Sequence, residues 1–419
     1  MITYADALAR ILDLARPGSV ESCPAAEALG RILAEDVVSP DNLPPFDNSA
    51  MDGFALRTEG QVLAAGREFQ VHGAVMAGDG TPVDLGQADQ AWEIMTGARL
   101  PADADTVVPV EQVEILARDG QGQATRMRLL EAIELGRHVR RAGEDVARGA
   151  VVMAAGCRVG APQLAMLAAL GIGTVAVRRR PRVALVCTGR ELVDAADAEL
   201  APGQIRNSNG PLLAARIRAA GAELVLQRTV SDTPEAFLAV LREAQAANVD
   251  VFVSTGAVSM GQCDFVPDAL RQAGAEIHFH KVRIRPGKPL LFASLPNGTL
   301  CFGLPGNPAS SAVGLRFFIE PALRALLGLA PQQPLRAVLD QDQKQLVGWR
   351  QFLKVRLVLA EDGVLRAKVL SGQESFRIRP LLEANAWVAM PGDAEQAPAG
   401  SRVEAWLPGH LDGLQLELP

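Results

Sequence analysis

From residue 182 to residue 328 the sequence alternates between short apolar runs and segments whose apolar residues have helical spacing. The apolar runs are RVALVCTG, ELVLQRTV, DVFVSTGAVSMG, EIHFHKVRI, PLLFASL and TLCFGLPGN, and a long helical segment follows over 308–328. This alternation predicts a largely parallel sheet with helices on both faces. Ligands of such sheets bind outside the carboxyl ends of the strands. The sequence of this region therefore predicts an α/β domain that binds a ligand at the edge where its strands end.

Acidic and basic residues collect in the loops between these elements. Glu191, Asp232 and Asp264 supply carboxylates, and Arg285 and Lys288 supply positive charge. Carboxylate oxygens suit a hard divalent cation such as Mg²⁺, which usually also takes a phosphate partner. Arginine and lysine suit phosphate or another oxyanion. The loops predict a phosphorylated ligand, a divalent cation and a second anion site, but they do not define the reaction.

The same edge offers backbone N–H groups to an anion. They lie in the glycine-containing loop over 256–261 and at the helix start formed by Asn307 and Pro308,. No Walker motif (GxxxxGK[ST]) occurs,. His278 and His280 alternate on one predicted strand, which permits a metal site of two histidines but is more typical of core or surface positions.

The chain has 419 residues, which is enough for several domains,. We predict a helix over 3–15, a second short helix over 24–33, short strands between 56 and 149, a helix over 161–171, and a small β-barrel or sandwich from 335 onward. The predicted domains are an elongated linker domain (1–45 with 150–180), an inserted small β domain (46–149), a mostly parallel α/β domain (181–329) and a C-terminal β-barrel-like domain (335–419).

The stretch DNLPPFDNSAMDGFA over 41–55 has neither a helical nor a strand period,. Its two prolines stiffen the backbone, and Asn48 and Gly53 favour turns. Such a segment buries little apolar surface, so packing does not explain its sequence. One interpretation is a rigid loop that presents Asp47 and Asp52 to a ligand. The other is a turn-rich linker between domains.

Two further turns carry polar side chains, namely IMTGA over 94–98 and HVRRAGEDV over 138–146. The second places two arginines beside Glu144 and Asp145. A solvated ion-pair cluster worth under about 1 kcal/mol explains this composition as well as a ligand site does.

Composition excludes several classes of protein. The formal net charge of −7 argues against non-specific nucleic-acid binding,. The N-terminal segment does not resemble a signal peptide, and no apolar run is long enough to span a bilayer. The five cysteines, at 23, 157, 187, 263 and 301, form no CxxC or Cys/His spacing, which predicts reduced thiols without structural zinc,. We expect a cytoplasmic protein with no nucleic-acid or membrane partner.

The polar loops resemble those of the MoeA family of molybdopterin molybdenumtransferases, which is similar to the E domain of gephyrin-type molybdenum insertases. The resemblance covers essentially the whole chain. Its motifs are, in order, PPFDNSAMDGFA (44–55), IMTGARLP (94–101), VRRAGEDV (139–146), RPRVALVCTGREL (180–192), STGAVSMGQCDFV (254–266), RIRPGKPL (283–290) and GLPGNPAS (303–310). The first is the most specific. Chance convergence does not produce six or more motifs in one order.

The resemblance implies an enzyme that takes adenylylated molybdopterin and molybdate, uses a divalent cation (Mg²⁺), releases AMP and leaves molybdenum on the dithiolene. It also implies an elongated homodimer whose site is shared between subunits. The further partners implied are a molybdopterin adenylyltransferase and molybdoenzyme maturation proteins.

Motif matching assigns roles to individual residues. The implied catalytic residues are Asp52, Asp145, Glu191, Asp232, Asp264 and Lys288. The implied substrate-binding residues are Thr96, Arg140, Ser208, Ser259, Arg285, Asn307 and Ser310. The implied metal ligands are Glu191 and Asp264. The residues that would face the site of the other subunit are Asp52, Thr96, Arg140 and Asp145.

Four positions depart from the family pattern. Arg190 stands where an acid usually precedes Glu191, which removes one possible cation ligand. Ala257 replaces the second glycine of a Gly-Gly pair and is expected to narrow the anion loop unless its φ lies below zero. Asp103 replaces a glycine, and Arg285 replaces a lysine.

Two other functions stay open. A molybdopterin adenylyltransferase resembles residues 182–328, but it normally carries a TGGTG-type loop and lacks the N-terminal signature, whereas this chain has STGAVSMG and an intact signature. A non-catalytic molybdopterin-binding or scaffold protein is supported only by the departures at 190 and 257.

Overall fold

The computed structural model describes residues 1–80, 83–194, 199–258 and 265–413. The chain divides into two compact units. The first unit contains Met1–Ser22, Gly30–Ala34 and Ala176–Pro419, and the second contains Cys23–Leu29 and Glu35–Val175. Within the described ranges, no helix combines the length and the apolar character needed to cross a membrane.

Helices and strands are numbered in chain order. The α-helices of the described ranges are α1 (Tyr4–Leu14), α2 (Ala161–Ala169), α3 (Asn209–Ala219), α4 (Pro234–Ala246), α5 (Val266–Gln272), α6 (Pro308–Gly314), α7 (Glu320–Leu326) and α8 (Arg379–Glu383). The β-strands are β1 (Val20–Pro24), β2 (Val37–Val38), β3 (Asn48–Ser49), β4 (Gly53–Leu56), β5 (Glu68–Val75), β6 (Gln90–Ile94), β7 (Thr106–Pro109), β8 (Val113–Arg118), β9 (Ala124–Leu129), β10 (Val139–Arg140), β11 (Val151–Met153), β12 (Thr174–Arg178), β13 (Arg182–Thr188), β14 (Leu192–Val193), β15 (Ile205–Arg206), β16 (Glu223–Val230), β17 (Val251–Thr255), β18 (Glu276–His280), β19 (Ile284–Arg285), β20 (Leu291–Ser294), β21 (Leu300–Leu304), β22 (Leu335–Leu339), β23 (Gln343–Lys344), β24 (Arg350–Leu359), β25 (Leu365–Val369), β26 (Ala386–Met390), β27 (Gln396–Ala397) and β28 (Arg402–Trp406).

Two of the three helices predicted outside the α/β region are confirmed, namely α1 and α2. The short helix predicted over 24–33 is wrong, because only Ala25–Glu27 forms a 3₁₀ turn. Gly30 has a φ of +76°, and Leu33 forms an antiparallel bridge to Val177. A left-handed glycine followed by an extended residue ends helical geometry after one turn.

The first unit is built around a six-stranded sheet in the order β16-β13-β17-β21-β20-β18. The first four strands are parallel, and β20 and β18 join antiparallel. Leu185 and Val253 belong to one apolar core, and Val186 and Phe252 belong to a second. Successive residues of a strand point to opposite faces, so both faces of the sheet are buried. The predicted, largely parallel α/β arrangement is confirmed.

Two predicted elements of this region are interrupted. The strand predicted over 276–284 divides, because β18 ends at His280 and Lys281 takes a φ of +77° that turns the chain away. Strand β19 then pairs in parallel with β24. The long helix predicted over 308–328 forms as α6 and α7, joined by a π-helical turn at Leu315–Ile319.

The C-terminal region forms a closed barrel, which is one of the two architectures predicted for it. The strands follow the order β24-β25-β22-β28-β26, and β24 also pairs with β26. That last pairing closes the five strands into a ring. Val355, Val388 and Ala405 are among the residues that fill its interior.

The second unit contains a six-stranded sheet in the order β7-β4-β6-β5-β9-β8. Phe54, Phe69 and Met127 are among its buried core residues. Outside this sheet, β10 pairs with β3, so that Val139 lies opposite Ser49 and Arg140 opposite Asn48. Pairing of β3 with β10 joins two of the polar loops that the sequence presents separately.

A buried ionic cluster fastens the segment after the barrel to the α/β domain. The carboxylate of Glu320 has no solvent exposure, and it accepts hydrogen bonds from Arg216 and from the backbone N–H of His410, both at 2.9 Å. Arg216 also donates to Asp412 at 2.9 Å. We call Arg216, Glu320, His410 and Asp412 the C-terminal clasp. Because buried charges need partners, the clasp ties three parts of the first unit together.

Because His410 is buried in the C-terminal clasp, we expect the protein to lose stability in acid. His410 is 6% exposed, and its Nε2 donates to the carbonyl of Ala220 at 3.0 Å. Burial lowers the pKa of His410 from 6.5 to about 4. The unfolded chain therefore binds more protons than the folded chain in that window, and stability falls as the pH falls through it. Between pH 7 and pH 4.5 this group is expected to reduce the free energy of unfolding by roughly 2–3 kcal/mol.

Urea unfolding at the two pH values measures this effect when wild type is compared with His410→Gln, which retains a donor but does not titrate. Wild type should lose about 2–3 kcal/mol more than the variant. Equal losses in both proteins would mean that other groups dominate acid unfolding.

Candidate functional site

A polar crevice of about 460 Å³ opens at the carboxyl ends of the parallel strands of the first unit. Its lining comes from the loops after β13, β16, β17 and β21, together with the starts of β15 and α3. The lining residues are Thr188, Glu191, Leu192, Ile205, Asn209, Asp232, Thr255, Gly256, Ala257, Val258, Pro289, Pro305, Gly306 and Asn307. Four of the polar strand-end loops therefore meet at one edge, as expected, whereas the loop with Arg285 and Lys288 contributes only the adjacent Pro289 to the lining. Such an edge is where open α/β sheets bind their ligands.

Two of the predicted acidic residues, Glu191 and Asp232, line this crevice. Asp232 accepts a hydrogen bond from the backbone N–H of Arg190 at 3.2 Å, a contact that does not depend on the side chain at position 190. Asp264 and Ser259 lie outside the described residues. Among the residues that the structure does describe, no group of three or more His, Cys, Asp or Glu side chains is placed to hold a metal ion.

The loop after β17 approaches the end of β13 closely. Gly256 has a φ of +98°, and a Cβ there would lie 2.6 Å from the Oγ1 of Thr188 and overlap its carbonyl oxygen. Position 256 therefore requires glycine. Ala257 follows with a φ of +51°. It does not take the negative φ that would relieve its side chain, and it occupies the left-handed region that residues with a Cβ avoid.

A buried amide network forms the floor of the crevice, and the sequence analysis missed it. The Nδ2 of Asn209 donates to the carbonyl of Gly306 at 2.7 Å and to the Oγ1 of Thr255 at 3.1 Å. Asn207 accepts from the N–H of Gly210 and donates to Thr229, both at 2.9 Å. In the sequence, Asn209 and Gly210 directly precede Pro211, a pattern that predicts only the start of a helix. The contact of Asn209 with the loop after β21 depends on the order of the strands.

Of the cationic and polar residues predicted to bind the anionic part of the ligand, some line the crevice and others do not. Asn307 lines the crevice, and its Nδ2 donates to the Oγ of Ser375 at 3.1 Å. Ser375 belongs to the barrel region and was not predicted to lie near the site. Lys288 is exposed, with its Nζ 5.7 Å from the ring centre of Trp349, which is within cation–π range,. It directly precedes Pro289, which lines the crevice.

Three further predicted residues lie around the crevice but are not among its lining residues. Ser208 is exposed and directly precedes α3. Arg285 is exposed in β19 and pairs with Gln351 of the barrel region. Ser310 is only 4% exposed within α6. The structure therefore does not bring Ser310 to the surface of the crevice.

The second unit has a polar site of its own around Asp52. The Oδ1 of Asp52 accepts from both the backbone N–H and the Oγ1 of Thr96, at 2.6 and 2.7 Å. These two hydrogen bonds hold the pKa of Asp52 below its usual value, so this exposed carboxylate stays ionised,. The adjacent Gly53 lies in β4, where a Cβ would overlap the carbonyl of Val108. It is needed for close strand packing and not for the turn that the sequence suggested.

Asp47 fastens the stretch over 41–55 to the turn that follows β10. It accepts from the N–H of Ala142 at 2.8 Å and from Arg141 at 2.6 Å. Although partial burial opposes ionisation, these contacts keep the pKa of Asp47 below its usual range. The N–H of Gly143 donates to the carbonyl of Pro44 at 2.9 Å. Asp47 is therefore a structural anchor of the loop, whereas Asp52 is its presented carboxylate.

The same loop assembly carries Arg140 and Asp145, whose side chains are exposed. Ser49 exchanges backbone hydrogen bonds with the 95–98 turn, because its N–H donates to Ala98 at 3.0 Å and its carbonyl accepts from Gly97 at 2.8 Å. The three polar loops of this unit are thus one hydrogen-bonded surface, and residues 41–55 are part of that surface and not merely a turn-rich linker between domains. We call Asp52, Thr96, Arg140 and Asp145 the signature surface.

An open α/β sheet with carboxylates, backbone amides and a buried amide floor around a crevice at its strand ends is typical of enzymes that bind phosphorylated ligands. The comparisons with known proteins agree with that class. Three family models match the chain: the MoeA N-terminal region (domain I and II) over residues 2–171, a probable molybdopterin binding domain over 184–325, and the MoeA C-terminal region (domain IV) over 336–407.

Relatives match over nearly the full chain. A molybdopterin molybdenumtransferase of Synechococcus elongatus is 37% identical over 93% of this chain and 94% of its own length. One from Bacillus subtilis is 34% identical over 96% and 93%. A solved MoeA structure from Pyrococcus horikoshii superposes with a TM-score of 0.82 at 31% identity, covering 97% of this chain and 99% of that one. The chain belongs to the MoeA family and is an enzyme of the transferase class.

Proposed function

We propose that this enzyme inserts molybdenum from molybdate into adenylylated molybdopterin, releasing AMP and forming the molybdenum cofactor. The observation that carries the proposal is the near full-length similarity to curated molybdopterin molybdenumtransferases. The crevice supports it, because about 460 Å³ is of the size that encloses a small organic ligand,. A molybdopterin adenylyltransferase would supply the substrate, and molybdoenzyme maturation proteins would take the product.

The crevice residues suit the phosphoanhydride of such a substrate. Backbone groups of the loop after β17 and of Gly306 and Asn307, which precede α6, line the crevice and are available to hold phosphate oxygens,. Lys288 and Arg285 are not among the lining residues, but both lie close in sequence to Pro289, which is, and we expect them to offset the charge that builds on the leaving phosphate,. Holding molybdate beside the dithiolene adds proximity, which is worth up to roughly 7–11 kcal/mol in the best cases.

The donor set fits Mg²⁺ bound together with phosphate. Glu191 and Asp232 place two carboxylates in one crevice, and Mg²⁺ usually combines one or two carboxylates with substrate phosphates and water,. Glu191 would hold the ion, with Asp264 as the second ligand inferred from the sequence. When bound, the ion neutralises developing negative charge on the phosphoryl oxygens.

We also propose that the enzyme is a homodimer in which the signature surface of one subunit completes the crevice of the other. Support comes from the chemistry of that surface. Asp52 is kept ionised by Thr96 yet is exposed, and Arg140 is exposed two residues from Ala142, which Asp47 anchors. Such groups are held in place without contributing to a core, as expected of residues that contact a ligand.

AMP release from adenylylated molybdopterin tests the proposed function. We expect release to require both molybdate and a divalent cation, because the bond cleaved is a phosphoanhydride whose charge needs compensation. The measurement is AMP formation with and without molybdate, with EDTA, and after EDTA followed by excess Mg²⁺. Sulfate in place of molybdate is the control. Release that continues in EDTA would remove the metal from the proposal, and release that ignores molybdate would remove the insertase activity.

A further inference from the structure

The crevice loop after β17 depends on contacts from distant strands, because its own backbone is unfavourable. Gly256 and Ala257 are both left-handed, with φ values of +98° and +51°. A residue with a Cβ avoids this region because the Cβ approaches its own backbone. Ala257 keeps it only if neighbouring groups hold the chain on either side.

The structure shows how Val258, the next residue, is held. Its side chain packs over Gly303 of β21, where a Cβ would lie 3.0 Å from the Cγ1 of Val258. Val258 is 1% exposed and belongs to an apolar core of the α/β domain. Its carbonyl oxygen accepts a hydrogen bond from the Nε2 of His280 at 2.7 Å. The side chain and the carbonyl are thus fixed by two different strands.

The hydrogen-bond partner of His280 determines which of its ring nitrogens carries the hydrogen at this contact. A backbone carbonyl only accepts, so the Nε2 of His280 must carry the proton and donate it. His280 is the last residue of β18 and pairs with Leu291 of β20. Its backbone position is therefore set by the sheet and not by the loop it contacts.

We propose that His280 is a positioning residue for the substrate crevice: through the carbonyl of Val258 it holds the left-handed turn at Ala257 in its ligand-binding geometry. The assignment rests on the proposed function for what the crevice binds, but not for the contact itself. Ala257 and His280 then form a coupled pair, because a turn that is unfavourable for alanine needs an external anchor. A glycine at 257 would reduce that need.

The test combines enzyme kinetics with hydrogen–deuterium exchange. His280→Leu removes the donor and is expected to raise the KM for adenylylated molybdopterin about tenfold with little change in kcat, which is the size of one lost hydrogen bond. Exchange in peptides containing Thr255–Val258 should increase. His280→Gln, which can still donate, should stay close to wild type. His280→Asn, whose amide is too short to reach, replaces the leucine variant if that variant fails to fold.

His278→Leu is the matched control. His278 lies on the same strand and contacts the Oγ of Ser294 at 2.8 Å and the ring of Phe292. Its replacement should leave both the KM and the exchange of the loop unchanged.

The double variant Ala257→Gly/His280→Leu tests the coupling. Its KM should return most of the way to the wild-type value from the raised KM of His280→Leu, whereas two independent residues would give additive effects. The proposal is overturned if His280→Leu matches His278→Leu in both KM and loop exchange. If wild type shows no molybdate-dependent AMP release, the proposed function fails, and the exchange data still decide whether His280 holds the loop.

Discussion

Replacing Asp52 with alanine is expected to reduce molybdate-dependent AMP release by at least about 100-fold and to leave the melting temperature nearly unchanged. The large kinetic effect is typical of removing a preorganised charged group from a reaction site. The small effect on stability follows from exposure, because Asp52 contacts Thr96 and packs against no core,. Asp89→Ala, an exposed aspartate of the same unit outside the polar loops, is the matched control.

Mixing subunits extends this experiment to the proposed shared site. In a mixed dimer of Asp52→Ala and Glu191→Ala subunits, one of the two sites would carry both changes and the other would carry neither. Such dimers should therefore recover about half of wild-type activity, although each homodimeric variant is inactive. Purified mixed dimers without activity would place Asp52 and Glu191 in the site of a single subunit.

Replacing Glu320 with alanine is expected to lower the free energy of unfolding by about 3–5 kcal/mol, the usual cost of leaving buried charges without their partner. Glu320 has no exposure and accepts hydrogen bonds from Arg216 and the N–H of His410. The substitution would also remove the carboxylate that lies 3.6 Å from Arg316, which is 3% exposed and would keep only the neutral acceptors of Leu407 and Gln332.

Glu243→Ala is the matched control for Glu320→Ala. Glu243 pairs with Arg228, but both side chains are nearly half exposed, at 46% and 49%. An exposed ion pair contributes under about 1 kcal/mol, so this variant should unfold almost like wild type. Thermal and urea unfolding of both variants measures the difference. Equal, small losses in the two variants would show that the clasp does not hold the C-terminal segment.

Comparing Asp52→Ala with Glu320→Ala distinguishes a residue needed for activity from a residue needed for stability. Asp52→Ala should lose activity and keep its stability, whereas Glu320→Ala should lose stability, and any loss of activity should follow unfolding. A protein that loses both properties on Asp52→Ala would indicate that the signature surface is part of the core.

Most of the helices and strands, and the residue types of the polar loops, could be predicted from the sequence. Apolar periodicity located α1, α2 and the strands of the α/β sheet, because a helix or strand that covers a core must repeat its apolar residues with its own period. It also supplied the polar residue types at the strand ends, including Glu191, Asp232 and Asn307, since residues that bury no surface are free to serve a ligand. The order of motifs was sufficient to indicate the family.

Which of these residues contact one another depends on the tertiary structure and could not be predicted. His280 reaches Val258 across 22 positions of sequence, and Arg216 reaches Glu320 across 104. Asn209 joins the crevice because β17 and β21 are neighbours in the sheet. Local sequence does not encode strand order or register, which result from burying both faces of the sheet at once. For the same reason, the left-handed turn at Ala257 could not be predicted from a residue that ordinarily avoids it.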